Sequence, residues 1–178
     1  MRQIALLRAI NVGGHNKVPM KALVGTFERL GYTDVQTYIQ SGNVAFTASG
    51  REAEIVSALE RAIAEDFGFS VPVIVRTAEQ WRLLARNNPY LAARVDPGQV
   101  HIGCLSGVPK AGATLDLARS PGDGFTLLGR ELYLHLPNGV GKSKFTNDYI
   151  ERQLGVSVTI RNWNTVKQLV AMSESSSG

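Results

Sequence analysis

The stretch Asn138-Gly-Val-Gly-Lys-Ser-Lys-Phe-Thr-Asn147 sets two lysines among hydroxyl and amide groups, between a strand-like run and a helix-like run. A glycine-containing strand-to-helix junction presents free main-chain N–H groups and a positive helix end, and both favour an anion. Lys142, Ser143, Lys144 and Asn147 are therefore candidate ligands for a phosphate. The stretch is not a P-loop. The pattern G-x-x-x-x-G-K-[ST] needs a glycine where this chain has Leu136, beside Pro137. Ser143 or Thr146 as a helix cap accounts for the hydroxyls without any ligand. It does not account for two lysines beside a helix start, where positive charge is unfavourable.

A second kind of chemistry would come from His101, Glu131, Tyr133 and His135, an acid–base set if the fold gathers them on one open sheet face, with His15 as a further titratable group elsewhere. Neither a metal-ligand spacing nor a paired-carboxylate pattern stands out, and no cofactor is expected. The lone cysteine, Cys104, lies in an apolar strand-like run, reads as a small buried hydrophobe, and suits a reducing, cytoplasmic setting. The net charge of +4 is spread along the chain, without the basic runs that mark a nucleic-acid tail. The start of the chain is too soon charged for a signal peptide, and no apolar run approaches a membrane span.

The elements that must position these groups follow from periodicity. Residues 3–10 read as a strand, and Pro19–Leu30 as a helix with Met20, Leu23, Val24, Phe27 and Leu30 on one face. Strands at 34–40 and 43–48 are joined at Ser41-Gly42; a helix at 52–67, a strand at 71–76 and a helix capped by Thr77 follow. The same order returns: a strand at 99–105, a weak helix at 109–118, a hairpin through Gly129-Arg130, a helix at 143–154, a strand at 156–161 and a helix at 162–172. This predicts an α+β fold of two ferredoxin-like units in tandem, each a split βαβ plait of order βαββαβ with a trailing helix. The expected division is 1–88, a linker at 89–98, 99–172, and a disordered tail at 173–178.

That topology brings distant loops together. In the first half Arg8, Asn11, Gly13, Gly14, His15 and Lys17 should meet Gln40, Ser41 and Asn43 at one end of the sheet. In the second half Lys142, Ser143, Lys144 and Asn147 should meet Arg161, Asn162 and Trp163. Both clusters are polar, partly basic and carried on short loops, the usual place for sites.

Leu7-Arg-Ala-Ile-Asn-Val-Gly-Gly14, Lys17-Val-Pro-Met20, Thr37-Tyr-Ile-Gln-Ser-Gly-Asn-Val44, Gly141-Lys-Ser-Lys-Phe-Thr-Asn147 and Arg161-Asn-Trp-Asn-Thr-Val166 resemble the hallmarks of the bacterial family known as domain of unknown function 1697. The resemblance spans residues 2 to 172 and implies a duplicated ferredoxin-like plait; it implies no activity. This chain departs from it in carrying Ala9 where the family has glycine.

The leading expectation is a non-catalytic binding module for a phosphate-bearing small molecule or nucleic acid. Lys142, Lys144 and Arg161 would meet phosphates, the Gly139–Ser143 backbone would form a nest, and Trp163 would offer a stacking surface. Sequence-specific RNA binding on the sheet face is disfavoured, since Gly42-Asn-Val-Ala-Phe-Thr47 lacks the basic and aromatic residues of that signature. The alternatives are a small-molecule enzyme and a homodimer or protein-partner module built on a sheet face or edge.

Overall fold

The computed structural model describes residues 1–175. Eight strands and six α-helices are present among them: β1 Arg2–Leu7, α1 Met20–Arg29, β2 Thr33–Tyr38, β3 Asn43–Thr47, α2 Glu52–Phe67, β4 Val73–Thr77, α3 Ala78–Arg86, α4 Pro89–Ala92, β5 Val100–Leu105, β6 Gly124–Leu128, β7 Glu131–His135, α5 Asn147–Leu154, β8 Val158–Asn162 and α6 Trp163–Glu174. They form two antiparallel four-stranded sheets of orders β2-β3-β1-β4 and β6-β7-β5-β8, so the fold is α+β.

The described residues divide into two compact units, Met1–Leu83 with residues 167–175, and Leu84–Val166. In the first, α1 and α2 bury one face of the sheet: Ala5, Leu7, Val44, Phe46, Val73 and Val75 pack against Leu23, Phe27, Ile55, Leu59 and Ile63. α2 starts where the Glu54 carboxylate accepts the Arg51 N–H (3.1 Å) and ends at Gly68, whose left-handed backbone (φ +81°) returns its N–H to Ala64. In the second unit α5 does the same work, with Phe145, Tyr149, Ile150 and Leu154 on Leu132, Leu134 and Val158.

Matching main-chain bonds frame both sheets. Leu7 N–H donates to Gly42 (2.8 Å) as Leu105 does to Arg130 (2.9 Å), and Arg8 N–H donates to Pro72 (3.0 Å) as Ser106 does to Ser157 (2.9 Å). A helix glutamate also braces each last strand: Glu60 accepts the Val73 N–H at 3.0 Å, and Glu151 accepts that of Val158 at 3.2 Å.

The units differ between their first two strands. No α-helix forms at 109–118, contrary to the sequence expectation; Leu117–Arg119 make a single 3-10 turn instead. Pro109 and Gly112 (φ +80°) interrupt that segment, and its apolar residues are too few for a helical face. The stretch read as a linker, 89–98, holds α4 and the start of a 3-10 turn at Pro97–Gln99, and Asn88 caps α4 by accepting the Tyr90 N–H at 3.0 Å. Ser173 and Glu174, expected in a disordered tail, belong to α6; residues 176–178 of that tail lie outside the described residues.

Candidate functional site

The basic loop Leu136–Thr146 enters α5 later than its periodicity suggests, at Asn147, because Thr146 is the cap: its hydroxyl accepts the Tyr149 N–H at 3.2 Å. The loop is closed on itself. The N–H groups of Lys142 and Ser143 both donate to Gly139 O (3.3 Å each), and that of Gly139 to Leu136 O (3.0 Å). Phe145 N–H donates to the buried Ser143 hydroxyl (3.1 Å). Of the nest expected from Gly139 to Ser143, the N–H groups of Gly139, Lys142 and Ser143 are therefore spent on the loop's own carbonyls. Lys142 and Lys144 are exposed, and Asn147 is half-buried in the first turn of α5.

The segment that forms no helix at 109–118 supplies the rest of the site. Lys144 N–H donates to Ser120 Oγ (2.9 Å), Arg119 Nε donates to Lys144 O (3.4 Å), and Asp116 N–H donates to the Tyr149 hydroxyl (2.9 Å). The Arg119 guanidinium carbon lies 4.3 Å from the Tyr149 ring centroid, a cation–π contact, and Tyr149 in turn stacks on Phe145 at 6.0 Å and 11°. The result is a braced platform carrying three exposed cations: Arg119, Lys142 and Lys144. Three carboxylates stand around it. Asp116 accepts the Ala118 N–H (2.9 Å), Asp123 accepts the Ser120 hydroxyl (2.6 Å), and exposed Asp148 sits in the first turn of α5.

Arg161 was expected on this loop and lies elsewhere. Strand register sets Arg161, Ile102 and Tyr133 opposite one another, hence on the sheet face away from α5, and burial pushes the Arg161 pKa down to about 10. Its Nη1 donates to Ile160 O at 3.0 Å, as that of Arg76 does to Val75 O at 3.0 Å in the first unit. Asn162 caps α6 by accepting the Thr165 N–H (2.9 Å), and Trp163 opens that helix, half-buried.

The proposed acid–base set is not assembled. His101 pairs with Leu134 and Asn162, which puts it on the α5 side, whereas Glu131, Tyr133 and His135 point to the opposite face. Nor is that face open: Tyr133 is 1% exposed, donates its hydroxyl to Leu84 O at 2.8 Å, and has its pKa raised by burial. Glu131 is half-buried. His135 meets Tyr90 (centroids 5.6 Å apart) and bonds Gln99 Oε1 through Nε2 at 2.9 Å. His101 is buried, Nδ1 has no hydrogen-bond partner, and desolvation lowers its pKa against a smaller opposing contribution from the Gln99 backbone. Among the described residues no group of three or more His, Cys, Asp or Glu could hold a metal, and no helix is long and apolar enough to cross a membrane.

The first-unit loops meet as topology requires. Asn11 donates Nδ2 to Gln40 O (2.7 Å) and Val18 O (3.0 Å), and its Oδ1 accepts the Val18 N–H (2.8 Å). Beyond it the chain makes a two-residue hairpin, Val12 pairing with His15 across Gly13 and Gly14 (φ +57° and +77°), the positive angles such a turn needs. Buried Asn43 donates Nδ2 to Tyr38 O (3.0 Å) and Ser41 Oγ (2.9 Å). Arg8 is half-buried; His15, Lys17 and Gln40 are exposed. Asn11, Ser41 and Asn43 are thus committed to holding the loops together. Only His15, Lys17 and Gln40 of this cluster face water as polar side chains free to meet another molecule.

The family described as Protein of unknown function (DUF1697) matches residues 1–133, and the chain belongs to it. The match takes in all of the first-unit loops and Arg119, and ends before Lys142. No curated protein matches. Among solved structures the chain is similar to the conserved bacterial protein SP0830 from Streptococcus pneumoniae, at 25% identity and a TM-score of 0.72 over 97% of this chain and 98% of that one. Neither description assigns an activity.

Proposed function

We propose that this protein is a non-catalytic binding module for a phosphate-bearing ligand, and that its site is the platform of Arg119, Lys142 and Lys144. The observation that carries the reading is the Arg119–Lys144 clamp. Nε of Arg119 bonds Lys144 O at 3.4 Å and the guanidinium lies against Tyr149, so one cation of the three is held in place before any ligand arrives. A pre-positioned guanidinium loses little side-chain entropy on binding and retains its terminal N–H groups for phosphate oxygens. The lysines add charge without directional demand. As all three cations are exposed, the attraction is screened by salt and weakens as ionic strength rises.

We further infer that the two halves are tandem ferredoxin-like units. Support comes from their identical strand orders, the paired strand-end bonds of Leu7 and Leu105, and the equivalent Glu60 and Glu151 braces. In this reading the second unit replaces its first helix with the segment that carries Arg119.

Thermal shift at low ionic strength with inorganic phosphate and phosphate monoesters tests the site. A ligand at one hundred times its dissociation constant adds about 2.7 kcal/mol, which raises the melting temperature of a chain this long by roughly 5–10 °C. The double variant Lys142→Glu, Lys144→Glu should abolish that shift while the unliganded melting temperature stays within about 1 °C of the parent. A shift that survives the double charge reversal would remove the platform from consideration.

A further inference from the structure

We propose that the ligand of the platform is a mononucleotide, its base stacked on the outer side of the Arg119 guanidinium and its phosphate held by Lys142 and Lys144. The inference rests on the anion-binding reading above and adds the chemical class. Phe145 and Tyr149 lie nearly parallel, 11° apart, and the Arg119 guanidinium carbon lies over the Tyr149 ring, 4.3 Å from its centroid. Phe145 and Tyr149 are buried, at 1% and 5% exposure, whereas Arg119 is exposed, so a solvent-facing cation rests on a buried aromatic ring. A guanidinium is planar and weakly hydrated on its faces, which makes it a stacking partner for a nucleobase. Tyr149 lies against this one, its Nε is tied to Lys144 O, and the side chain is exposed to solvent.

A bare phosphate or sugar phosphate would use the charge of Arg119 and leave its outer face empty. Leu117 and Val140, 55% and 54% exposed on the two segments that make the platform, add apolar surface suited to a base and of no use to a sugar phosphate. A long nucleic acid fits less well. Asp116, Asp123 and Asp148 stand around the three cations and would repel an extended run of phosphodiesters.

Isothermal titration at low ionic strength with adenosine monophosphate, ribose phosphate and inorganic phosphate, on the full chain and on Arg119→Lys, decides the matter. The expected result is that adenosine monophosphate binds the parent at least about tenfold more tightly than ribose phosphate, and that Arg119→Lys, which keeps the charge and loses the planar face, brings the two together. Equal binding of the two by the parent overturns the nucleotide inference and leaves the anion site standing. Absence of binding by all three overturns both. Tighter binding of a short oligoadenylate than of the monophosphate, with a steeper salt dependence, overturns the choice of a mononucleotide.

Discussion

The hydroxyl of Tyr149, on α5, accepts the main-chain N–H of Asp116 at 2.9 Å, and so fastens a segment that has no helix of its own to one that does. Tyr149→Phe keeps the ring that backs Arg119 and removes the acceptor. Loss of this one bond should lower stability by about 1 kcal/mol and speed amide exchange at Asp116 and its neighbours, measured by urea unfolding and hydrogen exchange. An Asp116 amide that exchanges no faster in the variant would mean the bond does not hold the segment.

Asn11 makes three hydrogen bonds that close the first-unit loop onto the β2–β3 turn, and it does so with φ +54°. Asn11→Ala should destabilise the protein by roughly 2–3 kcal/mol, combining lost bonds with the left-handed cost. Asn11→Gly, which tolerates that φ, separates the two contributions. If the glycine variant unfolds at the parent's urea midpoint, the side-chain bonds contribute nothing.

Ala9 has a φ of +56°, one that a Cβ disfavours. Ala9→Gly should therefore stabilise, by about 0.5–1 kcal/mol after the greater freedom of glycine in the unfolded chain is subtracted. Gly42→Ala should do the reverse on a larger scale. Its φ is +83° and an added Cβ would lie 2.7 Å from Leu7 Cβ, beside a β-strand that cannot retreat, so a loss of about 3 kcal/mol or more is expected. Matched melting temperatures for either variant and the parent would contradict the backbone account.

Asp66 receives Arg29 at 2.6 Å and the Thr26 hydroxyl at 2.6 Å, joining α2 to α1; the Arg29 bond first and the Thr26 bond second hold its pKa below the usual carboxylate value. Its folded-state pKa lies below its unfolded one, so its contribution is complete above the unfolded pKa and is lost as pH falls through the folded one. Asp66→Asn should lower the neutral plateau and leave stability at low pH nearly unchanged, which flattens the acid limb. Identical acid limbs in urea titrations of the two proteins would exclude this pair as a source of acid sensitivity.

His101 gives a limb at higher pH. Burial first, against a smaller contribution from the Gln99 backbone, lowers its pKa, so below the ordinary histidine value the unfolded chain takes up a proton that the folded one refuses. Stability should fall as pH drops from about 6.5 toward the folded-state pKa. His101→Gln should remove that part of the slope, and an NMR titration of the ring should place its midpoint below 6.5.

Much of this was legible in the chain. Strand alternation and the Thr77 and Thr146 hydroxyls mark several element ends, and connectivity alone brings Asn11 to Gln40. Where the reading failed, the missing information was tertiary. β5 is buried at every position from Val100 to Leu105, so it has no alternation by which to tell which face His101 occupies. Arg161 has the look of a surface cation until register places it beside Ile102 and Tyr133. The partner of Arg119, Lys144, is far along the chain, and the segment just before Arg119 reads as a helix that Pro109 and Gly112 do not permit.

The hairpin from Asn11 to Asn16 closes through its own two bonds, Asn11 N–H to Asn16 O and His15 N–H to Val12 O, before the chain enters α1. Its Gly13–Gly14 tip is exposed and neither position is crowded by backbone from elsewhere. The tip is thus uncoupled from the sheet beneath it: residues can be added or exchanged there, a peptide tag or a fluorophore-bearing cysteine included, while β1 and α1 keep their register. This is the place where the protein can acquire length without refolding.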